Sequence, residues 1–498
     1  MGKILQAFSS DNRNFIVGDK DKKFSFPRFC NKIHIFVNMI DALVKAGDFL
    51  WTYILLALLI GCAVYFTIRT RGVQFRMIPE MIRIMLGRDT KEKGGMSSFK
   101  AFSVSLASRV GTGNLAGVAS AIFVGGPGAV FWMWVTAFLG ASTGFMEATL
   151  AQLFKRRDGK SFYGGPAYYM ETGLKARWMG VLFAVLITLT FAAANQIVQC
   201  NTITASLSST FGIEKIWLAV ALAVLSFVIV SGGIRLIAKV TSYMVPFMAI
   251  GYVLLALWII FTNIGEGPSM LRLIVDSAFG IRQAAGGAVG VAIMQGVRRG
   301  LFSNEAGEGS APNAAAIADT SHPVKQGLVQ ALGVFVDTIV ICTCTALIIL
   351  LSNVWNCGED GIILTTHAIE SEVGAAGRYF ITAAIFLFAF SSVIANYYYG
   401  ETNLRFIAQK KWHLWALRIA TPLLAFTGSM IELQLAWNLV DFFMALLTIC
   451  NLSALILLSP KVFRLLEDYR EQKRAGIEEP QFKKEMFPEI KDKLEGWD

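Results

Sequence analysis

From residue 50 to residue 458 the chain consists of apolar runs of roughly 20 residues separated by short polar, basic or glycine-rich connections. A helix rising about 1.5 Å per residue crosses a hydrocarbon core of about 30 Å in that length. The pattern predicts an all-α polytopic membrane protein with about eleven transmembrane helices. The spans fall at residues 50–68, 99–124, a third opening on "GAVFWMWV", then 178–206, 216–230, 234–264, 286–318, 324–351, 375–402, 412–430 and 435–458.

Two spans break the apolar pattern. The second contains "LASRVGTGNLAGVAS" (106–120), and the seventh contains "QGVRRGLFSNEAGEGSAPNAAA" (295–316). Each opens a block of five spans after the first, and an odd number of helices inverts the second block relative to the first. Paired interrupted helices at matching positions of two inverted halves point to a secondary transporter with its site near the bilayer midplane.

Composition supports the membrane reading: 55% of residues are hydrophobic, 16% are charged, and mean hydropathy is +0.54. The net charge of +10 does not imply nucleic acid, because Lys and Arg collect in short cytoplasmic loops. Arg69, Arg71, Arg76, Arg83 and Arg88 mark the loop after the first span as cytoplasmic. Alternation from there places the C-terminus inside and the N-terminus outside, in a bacterial inner membrane. Residues 1–47 are polar and mixed-charge, without a signal-peptide layout. They read either as a disordered arm or as sequence upstream of a later start such as Met39. Residues 48–460 form the transmembrane domain and 461–498 a charged cytoplasmic tail.

Cys30, Cys62, Cys200, Cys342, Cys344, Cys357 and Cys450 are scattered without a CxxC pair, so neither a disulfide framework nor a metal site follows. The four histidines are dispersed and no GxSxG or HExxH string occurs, so no enzyme is expected.

In hydrocarbon a helix opens only where its freed backbone groups line a polar cavity or meet a ligand. Gly111, Thr112, Gly113 and Asn114 suit such an opening. Amides starting the second half-helix would meet an anion, and carbonyls ending the first, around Arg109 and Val110, a cation. The competing reading is a small-residue face for close helix packing. In the seventh span the ligand contacts are expected early, at Gly290, Gln295 and Gly296. The charges from Arg298 onward either line the cavity or emerge at the cytoplasmic face. Asn195, Gln199 and Thr202 share a helical face in the fourth span. Ser391 and Ser392 in the ninth offer adjacent hydroxyls, with Asn396 one turn on. Arg109, Glu147 and Asp337 read as structural ion pairs, or alternatively as a proton or ion relay.

The strings "GTGNLAGVASAI", "FMEATLAQLFK", "YGGPAYYMETGL", "QGVRRGLFSNEAGEGSAPNAAA" and "FAFSSVIANYYYGE" resemble those of the alanine or glycine:cation symporter family, the sodium:alanine symporters. The resemblance covers about residues 48–460. It implies a leucine-transporter-type inverted five-helix repeat plus one extra N-terminal helix, and sodium-coupled import of a small neutral amino acid by alternating access. It further implies that Thr112, Gly113 and Asn114 meet the carboxylate and that Gln199 faces the substrate. Ser391 and Ser392, by the same resemblance, bind Na+ together with carbonyls near Ser108 and Gly111. Where relatives of the alanine-selective type carry a tryptophan, this chain has Asn396, which widens the pocket and extends the substrate range towards glutamine. Proton coupling through Glu147 or Asp337 and an ion channel are the alternatives. Na+ is the coupling ion, with no other cofactor, and the lipid bilayer is the surrounding partner.

Overall fold

The computed structural model describes residues 38, 41–87, 96–159, 161–280, 286–408 and 410–497. Contacts divide the chain after Lys45, and the helical bundle is built from Ala46 onward. The N-terminal arm expected for residues 1–47 lies mostly outside the described residues.

Nearly every element is helical. Among the described residues seven helices are long and apolar enough to cross a membrane, and Gly113–Gly125 and Lys215–Ser231 are shorter apolar helices. A π-helical stretch Leu50–Leu55 runs into α1 (Leu56–Arg69), and the amphipathic α2 (Ile78–Leu86) follows. The first interrupted helix is α3 (Ser98–Arg109), a π stretch Gly113–Gly117, and α4 (Val118–Gly125). Behind it stands α5 (Gly128–Leu153).

A two-stranded antiparallel hairpin, β1 (Arg156–Asp158) and β2 (Ser161–Tyr163), and the short α6 (Pro166–Leu174) lead to α7 (Arg177–Ile187). That helix continues through a π stretch Thr188–Asn195 into α8 (Gln196–Phe211). The shorter α9 (Lys215–Ser231) and the long α10 (Gly233–Thr262) complete the first block, and α11 (Gly267–Ala278) connects it to the second.

The second block repeats the plan. Its interrupted helix is α12 (Gly286–Asn304) and α13 (Ala311–Ala315), followed by α14 (Pro323–Val334), a π stretch Phe335–Cys342 and α15 (Thr343–Leu351). The remaining helices are α16 (Gly361–Val373), α17 (Ala375–Ile407), α18 (Lys411–Met430) and α19 (Leu433–Arg474). α4 of the first interrupted helix and α12 and α13 of the second all pack along α5, as does α14, which makes α5 the wall against which the two interrupted helices are held.

The last helix runs well past the expected end at residue 458. Val462, Leu465, Leu466 and Tyr469 stay buried on one face, so packing sustains the helix after the apolar run ends. The charged tail is packed as well. Phe482, Phe487, Ile490 and Leu494 are buried, the Phe482 amide donates to the Ser321 carbonyl (2.9 Å), and Trp497 Nε1 donates to the Gln152 carbonyl (3.1 Å) at the end of α5.

Candidate functional site

The first break lies between Arg109 and Gly113. Val110 leaves helical geometry (ψ 85°), which frees the amides of Gly111 and Thr112. Both are capped by side-chain oxygens: Gly111 N–H donates to Asn114 Oδ1 (2.9 Å) and Thr112 N–H to Gln199 Oε1 (3.0 Å). In a low-dielectric interior these donors must be satisfied. The side-chain acceptors therefore stand where an anionic ligand would accept the same bonds. Thr112 Oγ1 is buried without a partner. Gln199 is itself oriented by donating to Asn195 Oδ1 (2.8 Å), whereas Thr202 bonds its own helix at the Val198 carbonyl.

Only glycine fits at position 111, where a Cβ would overlap Ser392 Oγ and lie 2.9 Å from Gln199 Oε1. That close approach brings the two serines of α17 against the end of α3. Ser392 Oγ donates within reach of three carbonyls, those of Ala107 (2.9 Å), Ser108 (3.1 Å) and Phe388 (3.2 Å). Ser391 Oγ meets the Phe388 and Ala107 carbonyls at 2.8 and 3.3 Å. The set is five neutral oxygens converging across the helix break, the donor chemistry of a hard monovalent cation. The carbonyls are those of Ala107, Ser108 and Phe388. Gly111 meets Ser392 and Gln199 through its missing side chain.

Asn396 lies one turn beyond Ser392, fully buried, with Oδ1 2.7 Å from Ser108 Oγ. The Ser108 hydroxyl also lies 2.6 Å from Glu305 Oε1. A single hydroxyl proton serves one of these acceptors, and turning the Asn396 amide over makes it the donor and satisfies both. In either orientation one amide atom of Asn396 stays buried and free beside the break.

The second break is at Glu305–Ser310, about nine residues past the expected contacts. Glu305 (φ 55°), Gly307 (φ 103°) and Gly309 (φ 78°) all take left-handed backbone between α12 and α13. The freed amides of Gly307 and Gly309 donate to the Glu147 carboxylate (3.4 and 3.2 Å), which also accepts from Asn451 Nδ2 (3.0 Å). Asn451 returns to the Gly307 carbonyl (2.9 Å) and accepts from the Tyr169 hydroxyl. Glu305 receives Ser108 and Ser310 (2.5 Å). The chain does not emerge after Arg298: Glu305 and Glu308 are each 1% exposed, and Glu308 Oε1 has no partner. The two breaks meet, since a Cβ on Gly113 would lie 2.9 Å from the Phe302 ring and 3.3 Å from Ser303 Cα.

Gly290, Gln295 and Gly296 are not part of this cluster. Gly290 is exposed with open space around it, and Gln295 Cβ and Gly296 lie against Gly125 and the Ala129 carbonyl respectively. The smallness of Gly125 and Gly296 serves the crossing of α12 over α4 and α5.

Among the described residues Arg109, Glu147 and Asp337 form no ion pair with one another. Arg109 is buried, donates from Nη1 to the Gln330 carbonyl (3.1 Å), and keeps Nε and Nη2 unpartnered. Glu147 is satisfied instead by the second break. Asp337 accepts from Asn114 Nδ2 (2.6 Å), Ser303 Oγ (2.5 Å) and Thr338 Oγ1 (2.9 Å). Asn114 thus ties the first break to the second and to the π stretch after α14. Ala107 and Phe388 carry no sequence signal, because they contribute only carbonyls. Ser303 and Asn451 carry a weak one, as polar residues in apolar helices.

Two interrupted helices whose breaks meet, walled by a third helix and closed by paired serines on a fourth, define a membrane transporter of the leucine-transporter type. The chain belongs to the sodium:alanine symporter family, whose family model matches residues 36–484. It is 49% identical over 444 residues to the probable sodium/glutamine symporter GlnT of Bacillus subtilis (strain 168), covering 89% of this chain and 93% of that protein. The sodium/alanine symporter AgcS of Methanococcus maripaludis is 37% identical over 435 residues, with 85% and 95% covered. Among solved structures, MhsT in complex with L-phenylalanine shares the fold at a TM-score of 0.53 and 13% identity, with 73% of this chain and 89% of that one covered. The chain is a membrane transporter and not an enzyme.

Proposed function

We propose that the protein imports a neutral amino acid with Na+ by alternating access, and that its substrates extend beyond alanine and glycine to glutamine. The observation that carries the reading is the oxygen set of Ser391, Ser392 and the Ala107, Ser108 and Phe388 carbonyls. Those five groups would hold Na+, which supplies positive charge that fixes the end of α3 against α17. Sodium favours transport because it binds the state with an ordered break better than the state without one. The substrate carboxylate takes the amides of Gly111 and Thr112 at the start of the second half-helix, displacing Asn114 and Gln199 oxygens. The free amide atom of Asn396 receives the polar end of a longer side chain. The names of the relatives, a probable sodium/glutamine symporter and a sodium/alanine symporter, support both halves of the proposal. Loop charge supports an inner-membrane topology with the C-terminus in the cytoplasm.

Uptake of labelled alanine, glycine, serine and glutamine into proteoliposomes, with a sodium gradient, a proton gradient or neither, is the test. Sodium-stimulated uptake that includes glutamine is expected. Uptake that ignores sodium and follows the proton gradient overturns the sodium assignment, and uptake confined to alanine and glycine overturns the wider substrate range.

A further inference from the structure

At the end of α1 a cleft of about 380 Å³ opens between that helix and the last turns of α19. Four arginines line it, Arg69, Arg71, Arg470 and Arg474, against one carboxylate, Glu467, over an apolar floor that includes Ile68 and Phe463. The guanidinium of Arg69 lies over the Phe463 ring (5.0 Å to its centre), and Arg470 donates to the Thr70 carbonyl (2.8 Å). Burial disfavours the charge on Arg470, and Arg76, Arg71 and Arg474 add to the effect against the pull of Glu467. Like charges gathered in one concavity repel one another, so the arrangement is relieved by an anion. Arg71 is held there in left-handed backbone (φ 54°), a conformation uncommon for a side chain of its size. General topological bias accounts for arginines at this end of the bundle but not for their convergence on one cleft.

The surroundings identify the anion. Beside the cleft, α1 leaves Val64 and Tyr65 exposed, and Ile68 at the cleft's edge is 68% exposed. Against the same end of α19, where Tyr469 donates to Glu80, α2 buries Met81 and Ile84 and packs on α14, yet leaves Ile78, Ile82 and Leu86 exposed. The spacing of four residues puts those exposed side chains on one stripe. A short helix with an outward apolar stripe beside basic residues lies in the plane of a membrane surface. The arginine cleft is therefore at headgroup depth.

We propose that this cleft binds the phosphodiester of an anionic phospholipid, with an acyl chain lying along Tyr65 and Ile68. Arginine suits the role because its planar fork donates two parallel bonds to one phosphate. The site is separate from the transport site and independent of the proposed substrate.

Full-length transporter in nanodiscs of phosphatidylcholine with a minor fraction of phosphatidylglycerol or cardiolipin tests this, with lipid retention read by native mass spectrometry. The double variant Arg71→Gln with Arg474→Gln is expected to lose retention by about tenfold or more, since each basic group near a membrane surface contributes about fivefold. The charge-keeping pair Arg71→Lys with Arg474→Lys should fall between the two, because it keeps the charge and loses the fork. Arg235→Gln with Lys239→Gln, both exposed and outside the lining of the cleft, also removes two charges and controls for net charge. Equal losses in the Arg71 and Arg474 glutamine variant and in the Arg235 and Lys239 variant, or no loss in either, overturn the proposal. Inorganic phosphate at millimolar concentration should not displace the lipid; displacement marks a free-anion site and overturns the lipid assignment.

Discussion

Asn396 and Ser108 face each other at 2.7 Å, and the carbonyl of the same Ser108 is 3.1 Å from the hydroxyl of Ser392. One residue of the first broken helix therefore touches both the amide proposed to border the substrate and the serine proposed to border the cation. Replacing Asn396 by tryptophan overfills a fully buried position, and overpacking costs about 1–3 kcal/mol. If the excess volume projects into the substrate space, glutamine should lose about five- to 150-fold in affinity while alanine is retained. Competition of unlabelled neutral amino acids against labelled alanine reads this directly. Undiminished competition by glutamine in Asn396→Trp would place the side chain away from the substrate.

Gly111 and Gly290 make a paired test of which glycines belong to the site. A methyl group on Gly111 would overlap Ser392 Oγ and sit 2.9 Å from Gln199 Oε1, so both the hydroxyl and the amide must move. Gly111→Ala is expected to raise the sodium concentration for half-maximal uptake by about tenfold or more, one lost hydrogen-bonding group being worth about 1 kcal/mol and the displaced neighbours adding to it. A methyl group on Gly290 meets nothing within 4 Å. Gly290→Ala should leave uptake and stability within about 0.5 kcal/mol of the parent. Sodium titrations of both variants distinguish them, and a large effect at Gly290 would return the ligand contacts to the start of α12.

The contrast between those two glycines also shows what a sequence can reveal here. The first break is legible because Gly111 to Asn114 put glycines and hydrogen-bonding side chains together inside an apolar run. Ser391, Ser392 and Gln199 stand out for the same reason. The second break is not, because its glycines and charges spread over the whole of residues 295–316, and only Glu147 and Asn451, from distant helices, mark where the chain opens. Charge alone suggests a carboxylate partner for Arg109, whereas the structure gives it the Gln330 carbonyl. A carbonyl in a helix looks the same at every position of a sequence.

Glu147 tests whether a buried carboxylate is a scaffold or a relay. It accepts from the Gly307 and Gly309 amides and from Asn451, and no lysine or arginine lies within ion-pair distance among the described residues. Glu147→Gln keeps the volume but replaces one acceptor oxygen by a donor, so one of those donors loses its partner. Leaving a buried donor unsatisfied costs about 1–3 kcal/mol. The melting temperature in detergent is expected to fall, with sodium-driven uptake per folded molecule kept. An unchanged melting temperature combined with lost ion coupling would instead mark Glu147 as a relay.

The docked tail is expected to respond to pH through two groups outside the spans. Lys155 is sandwiched between the rings of Phe162 and Trp497 and donates to the Ala318 carbonyl (3.2 Å). Burial, which outweighs the opposing pull of Asp319, pushes its amine down to about 7 from an ordinary 10.5. Between those values the unfolded chain holds more protons than the folded one, so stability rises with pH across that window. Burial likewise holds His322 below its ordinary 6.5, against the pull of Asp468, so acidification through that region charges a ring packed against Tyr469 and Phe482. Both groups have the same sign: the contact between the tail and the ends of α5 and α14 loosens as pH falls. Hydrogen exchange across residues 482–497, corrected for its intrinsic pH dependence, should show protection declining from about pH 9 to about pH 5.5. Lys155→Met should flatten the part above about pH 7 and leave the His322 part below it. Protection that increases on acidification, or a Lys155→Met profile identical to the parent, would rule the amine out as the titrating group.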